Sequence, residues 1–587
     1  MGLALATPIW GQVRTDAGSA APQHDGYPVD WSSHYLVMPG ASAEKALAAG
    51  VREPRHVYNL VTRQAAIERG RRQRRSRHPI EVDWAVSLEN GFVPANQYPA
   101  SFGSLTLENC NGDFSLFALD VTSGTQANVV GINNLYTTAT PKCNNGAPWV
   151  AFAYNTVTQT GGQILNSPSL SADGTKAVFV ESTTTGSYFH VLVLPNPIPA
   201  PPSHVGTVLN PQTPTSCAAP VTPGCMTTVK FTTANDTNSS VWIDYGADIA
   251  YVGADNGMLY KIAPVFGGGT PQVISDANWP VLVSASGNTV LTDPIVDDTA
   301  GRIFLGDGFG YLYAVNLAAP KKVTAAQVPI GWIGHNAGTG IVDPPLVVTD
   351  PANPGTDQVF SFTGCSIVQG IGGAITQLPA NFTSSSAATN TNTVDLGSGS
   401  GNGDCTSGNV HAAIFDNEFW TNGSTSGHMI GCGFVSGTNG SPRIPSNPKM
   451  YMFPFAGGVI TAKGERTFTV NNTRGDECSP LTEFFDGTTD RLFFGVGGTD
   501  GFIESSTITT TLSTPSCGGT ATSSCVKAPA ALGGTSGIVT DNVVSNGGTN
   551  IYFSTLAPGS VNGQNCHVTG GAANPYCAVK LTQAGLQ

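Results

Sequence analysis

The stretch YVGADNGMLYKI at residues 251–262 has a near-twin, FLGDGFGYLYAV, at residues 304–315. Aligned without gaps, Tyr251, Val252, Gly253, Gly257, Leu259, Tyr260 and Ile262 face Phe304, Leu305, Gly306, Gly310, Leu312, Tyr313 and Val315. The likeness extends upstream, to VWIDYGADIA at 241–250 and PIVDDTAGRI at 294–303. Each copy reads as an apolar triplet, an Asp, a short polar turn, a second apolar run, a Gly turn and a third apolar run. That order predicts three antiparallel strands joined by two tight turns, because Asp bonds its own backbone in a turn and Gly supplies a positive φ. Gly253 and Gly257 are then strand-end and turn residues, and Leu259, Tyr260 and Ile262 belong to a strand packed between sheets.

Used loosely, the template fits seven units from about residue 167 onward, with turn acids Asp173, Asp244, Asp297, Asp350, Asp416, Asp486 and Asp541. Successive acids are 53 to 71 residues apart, as insertions in one set of loops would produce. A less regular unit precedes them: DWAVSL, ASFGSLTL, DFSLFALDV and ANVVGINNLY read as four short strands between 83 and 136, without the turn Asp. Sheets of this kind cannot bury both faces alone, and stacking them in a closed ring also protects their edges. The expected fold is therefore all-β, a seven- to eight-bladed β-propeller. The ring covers residues 80–587, with 80–165 as an irregular first blade or ring-closing strands and 166–587 as the seven repeats. A chain of β-sandwiches is the competing architecture.

Composition agrees with strands and long loops. Glycine (71) and proline (40) supply nearly a fifth of the 587 residues and weaken helix interiors. With a net charge of -13, the body of the protein lacks the basic surface that phosphate binding needs, so no nucleic-acid partner is expected. No apolar run approaches the length of a spanning helix. Residues 1–13, MGLALATPIWGQV, resemble the apolar half of a secretory signal without its basic front; a mis-assigned start ahead of an ordinary apolar strand is the alternative.

The twelve cysteines include no zinc-like or haem-like pair and fall in polar, Gly-rich segments, which predicts disulfides in an oxidising compartment. Close spacing suggests Cys217 with Cys225, Cys517 with Cys525 and Cys566 with Cys577. Order along the chain suggests Cys110 with Cys143, Cys365 with Cys405 and Cys432 with Cys478. A secreted or cell-surface protein fits these features. Asn-x-Ser/Thr acceptors at Asn235, Asn238, Asn381, Asn422, Asn439 and Asn471 permit glycosylation, in the number so Asn-, Ser- and Thr-rich a chain gives by chance.

The run YVGADNGMLYKI resembles the repeats of the quinoprotein-like β-propellers, closely over residues 241–317 and more loosely over 167–582. The resemblance implies a fold first, since propellers host binding, scaffolding and catalysis alike. It also implies an alternative activity, a dehydrogenase holding pyrroloquinoline quinone and Ca²⁺ on the propeller axis. The adjacent cysteines typical of the alcohol-dehydrogenase branch are missing from this chain, as is a CxxCH haem motif. There is no GxSxG elbow and no HExxH. His190 and His411 sit in strand patterns and read as packed residues. The turn acids could hold Ca²⁺ only by assembly across turns, because no regular DxDxDG loop occurs; capping their own turns is the simpler role.

Residues 14–79 are expected to stand outside the ring as a short helical arm with a basic tail. SAEKALAAG and VYNLVTRQAAIERGRRQRRS are the helical stretches, with Val57, Leu60, Val61 and Ile67 at roughly helical spacing. Nine of the 26 Lys and Arg lie between Arg52 and Arg77, including Arg69, Arg71, Arg72, Arg74, Arg75 and Arg77. This run suggests a processing site, a cationic arm that docks on a neighbouring acidic ring, or a solvated tail; repeated head-to-tail docking would make a homo-oligomeric filament. The sequence points to a non-enzymatic binding or structural module with an extracellular protein or glycan as ligand.

Overall fold

In the computed structural model, the two copies of the repeat fold as their turn chemistry requires. Trp242–Asp244, Ile249–Gly253 and Met258–Ala263 pair antiparallel, as do Ile295–Asp297, Arg302–Gly306 and Tyr311–Asn316. Gly257 turns with φ +74° and a Cβ there would lie 2.5 Å from the Ser284 carbonyl oxygen, so the position excludes any other residue. Leu259 and Ile262 are fully buried, and Tyr260 Oη donates to Thr232 Oγ1 of the preceding sheet at 3.0 Å.

The structure describes residues 26–37, 53–70 and 80–583, apart from 105–107, 122–125, 137–142, 144–146, 196–223, 285–289, 319–325, 332–339, 354, 356, 369–371, 398–408, 437–444, 470–476, 486, 488, 499–501, 509–524, 542–549, 562–563 and 567–573. Beside a small two-stranded pairing of Ser560–Val561 with Gln564–Asn565, eight sheets of four or five strands follow one another along the chain among the described residues. Their innermost strands, taken as blades 1 to 8, are Ala100–Ser104, Ser169–Leu170, Trp242–Asp244, Ile295–Asp297, Leu346–Val348, Ile414–Phe415, Thr482–Phe485 and Val539–Asp541. Each inner strand packs beside the next, and that of blade 8 returns to that of blade 1. The chain is an eight-bladed β-propeller.

Among the described residues, β1 (Gly26–Val29), β2 (Leu36–Val37), α1 (Pro54–Gly70) and β3 (Ile80–Ser87) precede blade 1, with a 3-10 turn between β1 and β2. The closing strand decides between the two readings of residues 80–165. DWAVSL does not join the first blade; β3 is the outer strand of blade 8, paired with Cys577–Gln583 from Ser87↔Cys577 to Ile80↔Gln583. Blade 1 takes its fourth strand from Trp149–Tyr154 instead, so the segment supplies both a full blade and the closure.

The core runs round the ring as clusters between blades. Val180 and Phe189 of blade 2 meet Ile243, Val252 and Ile262 of blade 3; Ile430 and Met452 of blade 6 meet Leu492 and Phe494 of blade 7. Burial of such faces drives the stacking. Disulfides Cys110–Cys143, Cys432–Cys478 and Cys566–Cys577 are formed, and Cys225 and Cys365 are also disulfide-bonded. Cys217, Cys405 and Cys517 lie outside the described residues, as does the side chain of Cys525.

Candidate functional site

A ring of eight blades encloses an axis too wide for the inner strands' own side chains to fill, and its inner edges present unpaired N–H and C=O groups. The N-terminal segment answers both needs. β1 pairs antiparallel with the inner strand of blade 1, from Gly26↔Ser104 to Val29↔Ser101. A 3-10 turn, Trp31–His34, follows, its Asp30 cap accepting from Ser32 N at 3.0 Å. β2 then pairs parallel with the inner strand of blade 5, Leu36↔Val347 and Val37↔Val348. All inner strands run the same way along the axis, from what we term the start face to the end face. β1 therefore climbs from the end face and β2 descends again, a hairpin plug.

This placement corrects the expectation of an arm outside the ring. Trp31 is fully buried and its Nε1 donates to Ser169 Oγ of blade 2 at 3.1 Å. α1 lies across the end face and reaches four blades. Arg55 Nη2 donates to the Ile243 carbonyl at 2.7 Å, Tyr58 Oη to that of Thr540 at 3.3 Å, and Arg63 Nη1 to Asn417 Oδ1 at 2.7 Å while the same guanidinium pairs with Glu483. Val57 and Leu60 are buried beneath the helix. Arg55 is itself buried, with its guanidinium 3.9 Å from the Trp242 ring centroid, its Nε on Ser32 Oγ at 2.6 Å and its Nη1 on Glu53 Oε1 at 2.6 Å. Burial opposes its charge, yet Glu53, Tyr245 and Asp30 together lift its pKa above the ordinary value. SAEKALAAG and Arg71, Arg72, Arg74, Arg75 and Arg77 lie outside the described residues; Arg69 falls in the last turn of α1.

At the start face the plug meets a buried polar cluster that no sequence motif announced. Tyr35 Oη and Tyr98 Oη share a hydrogen bond of 3.1 Å, and the His34 ring stacks on Tyr98 at 4.8 Å. Gln97 Oε1 accepts from Ser167 N, Ser167 Oγ and Ser240 Oγ at 2.9, 2.7 and 2.8 Å. Asp343 accepts from His411 Nδ1 at 3.0 Å and Ala412 N at 2.7 Å, and Asp293 accepts from Ser240 N at 2.5 Å. Burial, with Asp343 nearby, pushes the Asp293 carboxyl up to about 7, and burial lowers His34 to about 4. These bonds stitch the inner-strand starts of blades 1 to 4 together, and those of blades 5 and 6, around the plug tip.

The turn acids serve their turns. Asp173 accepts from Thr175 N at 3.0 Å, Asp244 from Ala247 N at 2.9 Å, Asp297 from Ala300 N at 3.0 Å and Asp350 from Ala352 N at 2.9 Å. Asp416 caps a helix, α2 (Asn417–Asn422), accepting from Phe419 N at 2.9 Å and pairing with His428. Asp486 and the side chain of Asp541 lie outside the described residues. Among the described residues no three His, Cys, Asp or Glu side chains converge as a metal site. The two strand histidines are packed: His190 Nε2 meets Glu181 Oε2 at 3.0 Å, with both side chains fully buried. Of the glycosylation acceptors, Asn235, Asn381 and Asn422 are exposed and Asn238 is half-buried; Asn439 and Asn471 lie outside the described residues.

The quinone and Ca²⁺ implied by the resemblance do not fit this axis. Where they would sit, Trp31 and Tyr35 are packed against inner strands and hydrogen-bonded to them.

No family model matches the chain, and no curated protein matches it. Among solved structures it is similar to the C-terminal WD40 domain of Sif2, at 9% identity over 86% of this chain and 99% of that one, with a TM-score of 0.40. It is also similar to the WD40 domain from Toxoplasma gondii coronin, at 11% identity over 69% and 78% of the two chains, TM-score 0.33. A chain of the mitotic checkpoint complex matches at 11% identity over 70% of this chain and 90% of its own, TM-score 0.35.

Proposed function

We propose that the protein is a secreted or cell-surface β-propeller that acts as a non-enzymatic binding or structural module, with an extracellular protein or glycan as ligand. The observation that carries this reading is the axis filled by the chain's own residues 26–37, which leaves recognition to the two faces of the ring. The disulfides support an oxidising location. Assembly into filaments through the arm has less to draw on, because the hairpin and α1 are committed to their own ring. The test is direct. Full-length protein incubated with pyrroloquinoline quinone and Ca²⁺ should reduce no dye with sugars or alcohols, and turnover would overturn the reading in favour of a dehydrogenase.

A further inference from the structure

Six large apolar side chains stand exposed among the described residues, and four of them, Leu282, Val290, Phe309 and Ile367, lie on the start face of blades 3 to 5. They are 39 to 41% exposed, on loops that hold one another in place. Val283 N donates to the Gly257 carbonyl at 2.9 Å, Gly308 N to that of Val290 at 3.1 Å, Ile330 N to that of Gly310 at 2.8 Å and Ile367 N to that of Ile330 at 2.9 Å. The last of these crosses the joint between blades 4 and 5, and Ser284, two residues past Leu282, bonds the Asp307 side chain of blade 4, so the residues form a fixed ledge. A contiguous apolar ledge on a soluble face marks an interaction site.

An acidic feature adjoins it. Asp255, in the turn that leads to Met258, faces Asp236 of the preceding blade, which is exposed. Leu282 pairs with Met258, which brings the ledge to the side of this turn. Asp255 Oδ1 is buried without a hydrogen-bond partner; backbone N–H groups of Asp236 and Asp255 support the carboxylate, while burial and repulsion from the Asp236 charge together raise its pKa above the ordinary value. A cation set against Asp236 relieves that repulsion, and the net charge of -13 draws cationic partners to the ring.

We propose that the start face of blades 3 to 5 docks an extended peptide segment of a partner protein, which lays apolar side chains on Leu282, Val290, Phe309 and Ile367 and sets a Lys or Arg against Asp236 and Asp255. The proposal rests on the binding-module reading and names its partner class. A random 12-mer peptide library displayed on phage is selected on immobilised full-length protein, and the enriched peptides are synthesised and titrated by fluorescence anisotropy. Enriched peptides should combine aliphatic or aromatic anchors with Lys or Arg. Phe309→Ser should weaken them about 10-fold or more, as loss of a central anchor does. Asp255→Asn should weaken them about 3-fold and flatten the salt dependence. Phe309→Ser should melt like the parent, since Phe309 is exposed, and Asp255→Asn keeps the size and the accepting oxygen of the half-buried carboxylate, so a melt of each variant separates lost binding from lost folding. The proposal is overturned if no peptide is enriched, if Phe309→Ser and Ile367→Ser leave binding unchanged, or if a glycan array is bound through this face instead. Each of these results, together with an absence of dye reduction, removes the surface and leaves the module reading standing.

Discussion

Lys580 Nζ lies 2.6 Å from Asp83 Oδ2 with both side chains all but inaccessible to water, and it also donates to the Leu135 carbonyl at 2.5 Å. One charge comes from the third strand of blade 8, its partner from β3, and the carbonyl from blade 1. The ring's seam is thus closed by an ion pair as well as by strand pairing. Removing one member of a buried pair strands the other, at a cost of about 3–5 kcal/mol. Lys580→Met should lower stability by that amount in urea melts, and Lys580→Met combined with Asp83→Leu should recover much of it. Equal losses in the single and double variants would mean that the pair does not hold the seam.

The plug should be structural. Trp31→Ala removes a fully buried side chain from the axis and should destabilise the protein by about 3–5 kcal/mol. Hydrogen exchange localises the effect: the Val347 and Thr349 amides, which bond to the Tyr35 and Val37 carbonyls at 2.8 and 3.0 Å, should lose protection first. Unchanged exchange at these two amides would contradict a load shared between plug and ring.

Buried acids give the fold a pH signature. Asp293 is pushed up to about 7, chiefly by burial, and Asp297 to about 6 by burial and by Asp357 across the joint between blades 4 and 5. Between about pH 4 and 7 the folded chain holds protons at these sites that the unfolded chain releases, so their contribution is present at low pH and lost as pH rises. His34, lowered to about 4 by burial, acts in the opposite sense between about pH 4 and 6.5, so the profile of the parent is a compromise. Asp293→Asn and Asp297→Asn, which keep the oxygen that accepts from Ser240 N or Ala300 N, should each gain stability over the parent as pH is raised from 4 to 8. A gain independent of pH would show that the carboxyls do not titrate in that window.

The Cys432–Cys478 disulfide joins blade 6 to the approach of blade 7 across 46 residues. Closing a loop of that length restricts the unfolded chain by about 4 kcal/mol. The Cys432→Ser, Cys478→Ser double variant should melt earlier by a corresponding margin, and reductant should lower the parent's melting temperature but not move the variant's as far.

The ring was legible because its units repeat turn chemistry. Asp244 and Asp297 accept from the backbone three residues on, and Gly257 and Gly310 turn with positive φ, so local rules suffice. The plug was not legible, since GYPVDWSSHYLV has no counterpart in the repeats and pairs with strands far along the chain. β3 was legible as a strand but left open between the first blade and the ring closure for the same reason: an alternating strand pattern states its own conformation and not its neighbour. The start-face cluster escaped because Gln97, Ser240, Asp293 and His411 precede the inner strands of different blades while differing in residue type.

The seam also sets the timetable of folding. β3 finds its partner in Cys577–Gln583, and β2 in blade 5, so strands made early in synthesis wait for strands made much later. Pairings of such sequence separation form slowly and leave sheet edges open meanwhile. Until the ring is complete those edges stay unpaired, and a truncation that removes the Cys577–Gln583 strand should be felt at β3, far away along the polypeptide.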